Sequence, residues 1–129
     1  MEAMTPEPKT AVLPPADVVR AAFAAYNRGA LDEGFAYLSP DVEWEIPEQS
    51  LNAGVHRGHA QFMRLLESEF EAFSEIHRDP VELEERGCRV TGIIAARMRG
   101  RLSGIELELR APWVFTVCAG QIVRARPAT

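Results

Sequence analysis

The spacing of apolar residues changes period partway along the chain, and the change predicts helices first and a sheet afterwards. Val19, Ala22, Phe23 and Tyr26 recur at i, i+3, i+4 and i+7, the single stripe of an amphipathic helix. Pro14-Pro15 opens that helix, with Pro15 near its first position and Asp17 favouring the positive end. Asn27-Arg28-Gly29 closes it, and Gly29 suits a left-handed cap. A short second helix over 31–38 buries Leu31, Phe35 and Leu38, and Ser39-Pro40-Asp41 stops it. Val42 to Ile46 then alternates apolar and charged residues, a half-buried strand ended by Pro47. Residues 48–58 read as a polar loop. A third helix over about 60–73 carries Phe62, Leu65, Leu66, Phe70 and Phe73 on one side and Glu67, Glu69 and Glu71 on the other.

Beyond this helix the period becomes two. Val81 and Leu83 mark a strand turned by Glu85-Arg86-Gly87. Val90, Gly92, Ile94, Ala96 and Met98 share one face of a long strand, with Thr91, Ile93, Ala95, Arg97 and Arg99 on the other. The return strand points Ile105, Leu107, Leu109, Ala111, Trp113, Phe115 and Val117 inward and Glu106, Glu108 and Arg110 outward. Ala119-Gly120 turns the chain into a last strand over 121–126. Pro112 cannot donate to a ladder, so a bulge or free edge is required there. The expected fold is α+β, with about three helices on the concave face of a strongly bent, mainly antiparallel sheet.

Composition narrows the function. A chain of 129 residues and 14.3 kDa fits one domain, expected over 15–129 after a flexible leader over 1–14 that holds three of the nine prolines. A formal charge of −5 and a pI near 5.2 oppose binding to a phosphate backbone, so no nucleic-acid partner is expected. There is no apolar run of membrane-spanning length, and the N-terminus lacks a basic start followed by an apolar stretch. A cytoplasmic protein without a membrane partner is the expectation. Cys88 and Cys118 have no zinc spacing and read as free thiols. Strand alternation sends their side chains to opposite faces, which would keep them apart.

Five blocks in order carry a family resemblance. They are Tyr26-Asn27-Arg28-Gly29 with Leu31-Asp32, Leu38-Ser39-Pro40-Asp41-Val42-Glu43-Trp44, His56-Arg57-Gly58, Gly87-x-Arg89-Val90, and Gly120-Gln121-Ile122-Val123-Arg124. Over roughly 15–126 the chain resembles the SnoaL-like branch of the nuclear transport factor 2-like superfamily. That resemblance implies a cone-shaped, cystatin-like or ketosteroid isomerase-like barrel and a homodimer through the outer sheet face. It also implies ketosteroid isomerase, polyketide cyclase, epoxide hydrolase or purely binding functions. Ala30 stands where the family often has Asp, which removes a helix N-cap worth about 1 kcal/mol.

Aligned on these blocks, the isomerase's tyrosine position falls on Ala22, its carboxylate base on Ile46 and its second oxyanion donor on Trp113. No such side chain abstracts a proton or stabilises an enolate, so ketosteroid isomerisation is not expected. The predicted pocket is apolar with polar tips, built from Tyr26, Trp44, Ile46, Phe62, Leu66, Leu109 and Trp113. Tyr26, Glu48 and His59 are the candidate acid and base groups; His56 lies in the same polar region as His59, and His77 reads as exposed. No nucleophile elbow, phosphate loop or metal spacing occurs, and no cofactor is expected. Three readings follow. The first is a binding domain for a hydrophobic small molecule. The second is a cofactor-independent cyclase- or hydrolase-like enzyme. The third is a dimeric interaction module whose interior is filled by Trp44 and Trp113.

Overall fold

The computed structural model describes residues 12–128. The leader expected at the N-terminus therefore lies outside the described residues except for 12–14. Three helices and six strands follow in the order α1 (Pro15–Asn27), α2 (Leu31–Ala36), β1 (Leu38–Ile46), β2 (Gly54–Arg57), α3 (Gly58–Ala72), β3 (Phe73–Arg86), β4 (Arg89–Gly100), β5 (Glu106–Cys118) and β6 (Gln121–Pro127).

The six strands form one sheet in the order β2-β1-β6-β5-β4-β3. β3 to β6 are the expected antiparallel meander, while β1 joins β6 in parallel and carries β2 on its far side. The sheet is curled rather than closed into a barrel, and β2 and β3 are its edges. Helix and sheet residues share one apolar core, in which Phe115, Leu38, Ile122, Val18, Val19, Val42, Val90 and Val117 are the deepest side chains. Among the described residues no polar or charged residue is fully buried.

α1 starts at Pro15 behind Pro14, neither of which offers a side-chain cap. The Glu85 carboxylate on β3 supplies the acceptor instead, taking the Ala16 N–H at 2.9 Å. At the other end Ala30 N–H donates to Ala25 C=O at 2.9 Å and Gly29 N–H to Tyr26 C=O at 3.1 Å. This is the paired Schellman closure, with Gly29 at φ 79° as predicted. α2 has Ala30 at its N-cap without a side-chain bond, as the missing Asp implied.

Several boundaries differ from the sequence reading. α2 ends at Ala36, and Leu38 is the fully buried first residue of β1. The Ser39-Pro40-Asp41 segment is part of β1, where the register against β6 shifts between Leu38 and Glu43. Residues 54–57 are a strand rather than loop, paired with Glu43 to Ile46. Phe73 opens β3 instead of ending a helix, so β3 begins eight residues before Val81. Pro80 is tolerated because β3 is an edge. Pro112 sits in β5 just past the last β6 pair, Trp113 with Pro127; its carbonyl accepts Ala128 N–H at 2.9 Å where β6 runs out. That is the free edge its missing donor needs.

Candidate functional site

The core facing the helices is a continuous aromatic cluster. Trp44 centres it, with ring centroids 5.0 Å from Phe62 and 6.1 Å from each of Phe23, Trp113 and Phe115. Trp113 stacks on Phe115 at 6.2 Å, and Tyr26 adjoins Phe62 at 5.8 Å and Phe23 at 6.4 Å. Offset and edge-on contacts of this kind add to the area that the rings bury. Of the predicted pocket residues, Trp44, Phe62 and Leu66 are buried in this cluster, and Tyr26, Ile46 and Trp113 are half-buried against it. Leu109 is not brought in. It is 53% exposed, and Ile105 and Leu107 are exposed with it. Their inward phase is correct, since Leu109 pairs with Ala96 and Leu107 with Met98, both on the core face of β4. The burial expected of them fails, since none of the three packs against the apolar core.

This exposed stretch of β5 borders a cavity of about 570 Å³. Tyr26 and Asn27 of α1 and Phe70 of α3 border it on the helix side. Ile76, Met98 and Leu107 border it on the sheet side, neighbours in register across β3, β4 and β5, together with the charged Glu75, Arg97, Arg99, Glu106 and Glu108. Phe70, Met98 and Leu107 carried the right periodicity in the sequence but no sign that they flank an opening. Ile76 was missed because charged residues surround it on both phases of the edge strand.

Two polar contacts brace the cavity's neighbourhood. The Asn27 side chain pairs with the β3 backbone, donating to Arg78 C=O at 2.7 Å and accepting Arg78 N–H at 2.9 Å. The Arg78 guanidinium in turn donates to both carboxylate oxygens of Glu69, at 3.1 and 2.9 Å. This fork ties α3 to β3 with little solvent exposure of the carboxylate.

The Tyr26 hydroxyl is shielded from solvent and has no hydrogen-bond partner. Burial pushes its phenol above the ordinary tyrosine range, so at neutral pH it is protonated and offers a donor. The other acid and base candidates are placed differently. His59 Nε2 is 3.0 Å from Leu38 C=O and its ring lies against Phe35 at 5.1 Å, so it ties α3 to the start of β1. His56 Nε2 is 2.8 Å from Asn52 C=O, holding the turn before β2. Glu48 is exposed in the turn after Pro47. His77 is exposed beside Asp79. The isomerase-equivalent positions are apolar as read: Ala22 is fully buried, and Ile46 and Trp113 are half-buried. No group of three or more potential metal ligands occurs among the described residues, and no described helix is long and apolar enough to cross a membrane.

An uncharacterised protein of Mycobacterium tuberculosis is 34% identical over 110 residues, covering 84% of this chain and 82% of that protein. A nuclear transport factor 2-like protein of Burkholderia xenovorans superposes with a TM-score of 0.76 at 29% identity, over 92% of this chain and 91% of that one. TerC, crystallised with polyporic acid, superposes with a TM-score of 0.78 at 23% identity over 88% of both chains, a likeness of fold. The family profile described as SnoaL-like domain matches residues 19–125. With its curled sheet, its three helices and that match over most of its length, the chain belongs to the SnoaL-like family of the nuclear transport factor 2-like superfamily.

Proposed function

We propose that this domain binds a hydrophobic small molecule carrying a hydrogen-bond acceptor, taken up through the cavity beside Tyr26. The observation that carries the reading is the Tyr26 hydroxyl, out of solvent and without a partner in an otherwise apolar interior. A buried donor left unpaired costs about 1–3 kcal/mol, and a carbonyl or phenolate oxygen on a ligand would relieve that cost. The cavity's volume, about 570 Å³, falls within the range of small-molecule sites. Phe70, Ile76, Met98 and Leu107 give it an apolar strip, while Arg97, Arg99, Arg101, Glu106 and Glu108 border the same opening, so an apolar body with polar substituents suits it. Binding is preferred to acid–base turnover because no described carboxylate is fully buried and His59 is engaged with a backbone carbonyl. TerC, a protein of like fold, was crystallised with polyporic acid, in keeping with a small-molecule ligand.

The test uses 9-fluorenone, an apolar ketone, titrated against the fluorescence of Trp44 and Trp113. Saturable quenching is expected. Tyr26→Phe should weaken it about 5- to 30-fold, the worth of one hydrogen bond of about 1–2 kcal/mol. The same substitution removes only an unpaired hydroxyl, so the unliganded variant should unfold at no lower urea concentration than the parent. Absence of saturable quenching, or equal affinity in Tyr26→Phe, would overturn the proposal.

A further inference from the structure

The charges that border the cavity are not evenly matched. Arg97, Arg99 and Arg101 stand there with Glu75, Glu106 and Glu108. Arg99 engages two of the three carboxylates: its Nη2 donates to Glu106, and its Nε lies 3.8 Å from Glu75. Arg97 faces Glu108 in register across the β4–β5 ladder, opposite charges set directly opposite one another. Arg101 has no carboxylate within ion-pair distance among the described residues. Main-chain carbonyls hold its guanidinium instead. Nε donates to Phe70 C=O at 3.2 Å, and Nη2 donates to Phe70 C=O at 2.6 Å and Phe73 C=O at 3.2 Å. The Arg101 N–H donates to Ala72 C=O at 2.9 Å, so backbone and side chain both close the end of α3. That helix end carries about half a unit of negative charge against the full positive charge of the guanidinium. The fork is therefore fixed in place but only partly neutralised. Its Nη1 keeps two N–H groups that no described residue accepts, on an exposed residue at the rim of the cavity.

We propose that Arg101 is the anion-recognising residue of this cavity, and that the ligand is a hydrophobic carboxylic acid bound as its carboxylate. This rests on the binding reading above and narrows it to one chemical class. The apolar body lies along Phe70, Ile76, Met98 and Leu107, one oxygen accepts from the Tyr26 hydroxyl, and the carboxylate accepts from Arg101 Nη1 at the rim. At the rim the carboxylate keeps part of its hydration, so little desolvation opposes its binding. The attraction is correspondingly modest and is screened by salt. The chain as a whole bears a formal charge of −5 and repels anions. A preference for an acid over its uncharged parent must therefore come from a local cation, and Arg101 is the one at this opening that no carboxylate faces.

The experiment titrates the full chain at neutral pH with 9-fluorenone and with 9-fluorenone-4-carboxylate, reading the quenching of Trp44 and Trp113. At about 20 mM salt the carboxylate should bind about 5-fold more tightly than the ketone, and at about 0.5 M salt the two affinities should converge. Arg101→Gln should abolish the preference. Arg101→Lys should keep part of it, since a point charge remains without the planar fork. The readout is a ratio of two affinities in one protein. A general loosening of α3 after loss of the Phe70 and Phe73 contacts weakens both probes and leaves that ratio where it was. If Arg101→Gln does not fold, the salt series on the parent and the ratio in Arg101→Lys decide the matter. Absence of quenching by both probes overturns the binding reading and this one with it. Saturable quenching by the ketone with equal or weaker binding of the carboxylate overturns the anion assignment alone. So does a preference that survives in Arg101→Gln, or one that disappears only in Arg97→Gln.

Discussion

Gly34 lies so close under the Tyr26 ring that a Cβ there would stand 2.2 Å from Cε1 and 2.6 Å from Cδ1. The ring cannot retreat freely, being flanked by Phe23, Phe35 and Phe62. Gly34→Ala should therefore cost about 1–3 kcal/mol in urea unfolding, as an overpacked core does. Tyr26→Ala removes the obstructing ring, so the double variant should lose clearly less than the two single losses combined. Additive losses would show that the ring is not what Gly34 accommodates. The sequence made Tyr26 legible as a helical-stripe residue one turn from Ala22. It could not reveal Gly34, because this contact joins two helices and no spacing along either one encodes it. The same limit applies to Leu109: alternation gives the direction of a side chain, whereas coverage depends on where the neighbouring helices end.

At the scale of elements, the strongest periodicities gave the right structures and the edges did not. α1, β4, β5 and the turn at Ala119-Gly120 stand close to where the pattern put them, because the helix and the strands carry long, regular apolar stripes and glycine marks the turn. β2 and the first half of β3 carry polar residues on both phases. As edge strands they are held mainly by backbone pairing on one side, which leaves little trace in side-chain pattern. α1 also depends on a distant partner, since the Glu85 carboxylate completes its N-terminus from β3. Glu85→Ala should lower unfolding free energy by about 1 kcal/mol, the usual worth of an N-terminal acceptor and its favourable charge. Glu85→Gln keeps an acceptor and should lose less. Equal stability of Glu85→Ala and the parent in urea unfolding would remove the cap from the account.

For the whole molecule, the fold class and family were readable because the period change and five spaced blocks agree over most of the chain. The cavity's position was not, since residues of α1, α3, β3, β4 and β5 meet there and no spacing along one element encodes the meeting. The outer sheet face presents half-buried Thr91, Ile93 and Ala95 beside exposed Arg97, which faces Glu108 in register. Arg99 pairs with Glu106, and Arg110 with Glu82 at 3.2 Å. We propose this mixed face as the seat of a second copy, because alternating charges around an apolar strip are self-complementary about a two-fold axis. Light scattering at tens of micromolar should give twice 14.3 kDa, and Ile93→Arg should return the mass to 14.3 kDa. A parent that scatters as a monomer would refute it. The parallel pairing of β1 with β6 bears on how the chain is made. A ribosome delivers α1, α2, β1 and its first neighbour β2 early, yet β6, which completes the other edge of β1, is the last of the six strands to emerge. Until then the apolar stripe of α1 and one edge of β1 wait without their partners, the kind of exposure that invites aggregation during synthesis. The meander can zip up locally from its hairpins, so closure of β1 onto β6 is the step with the greatest loop-entropy cost and the natural bottleneck of folding.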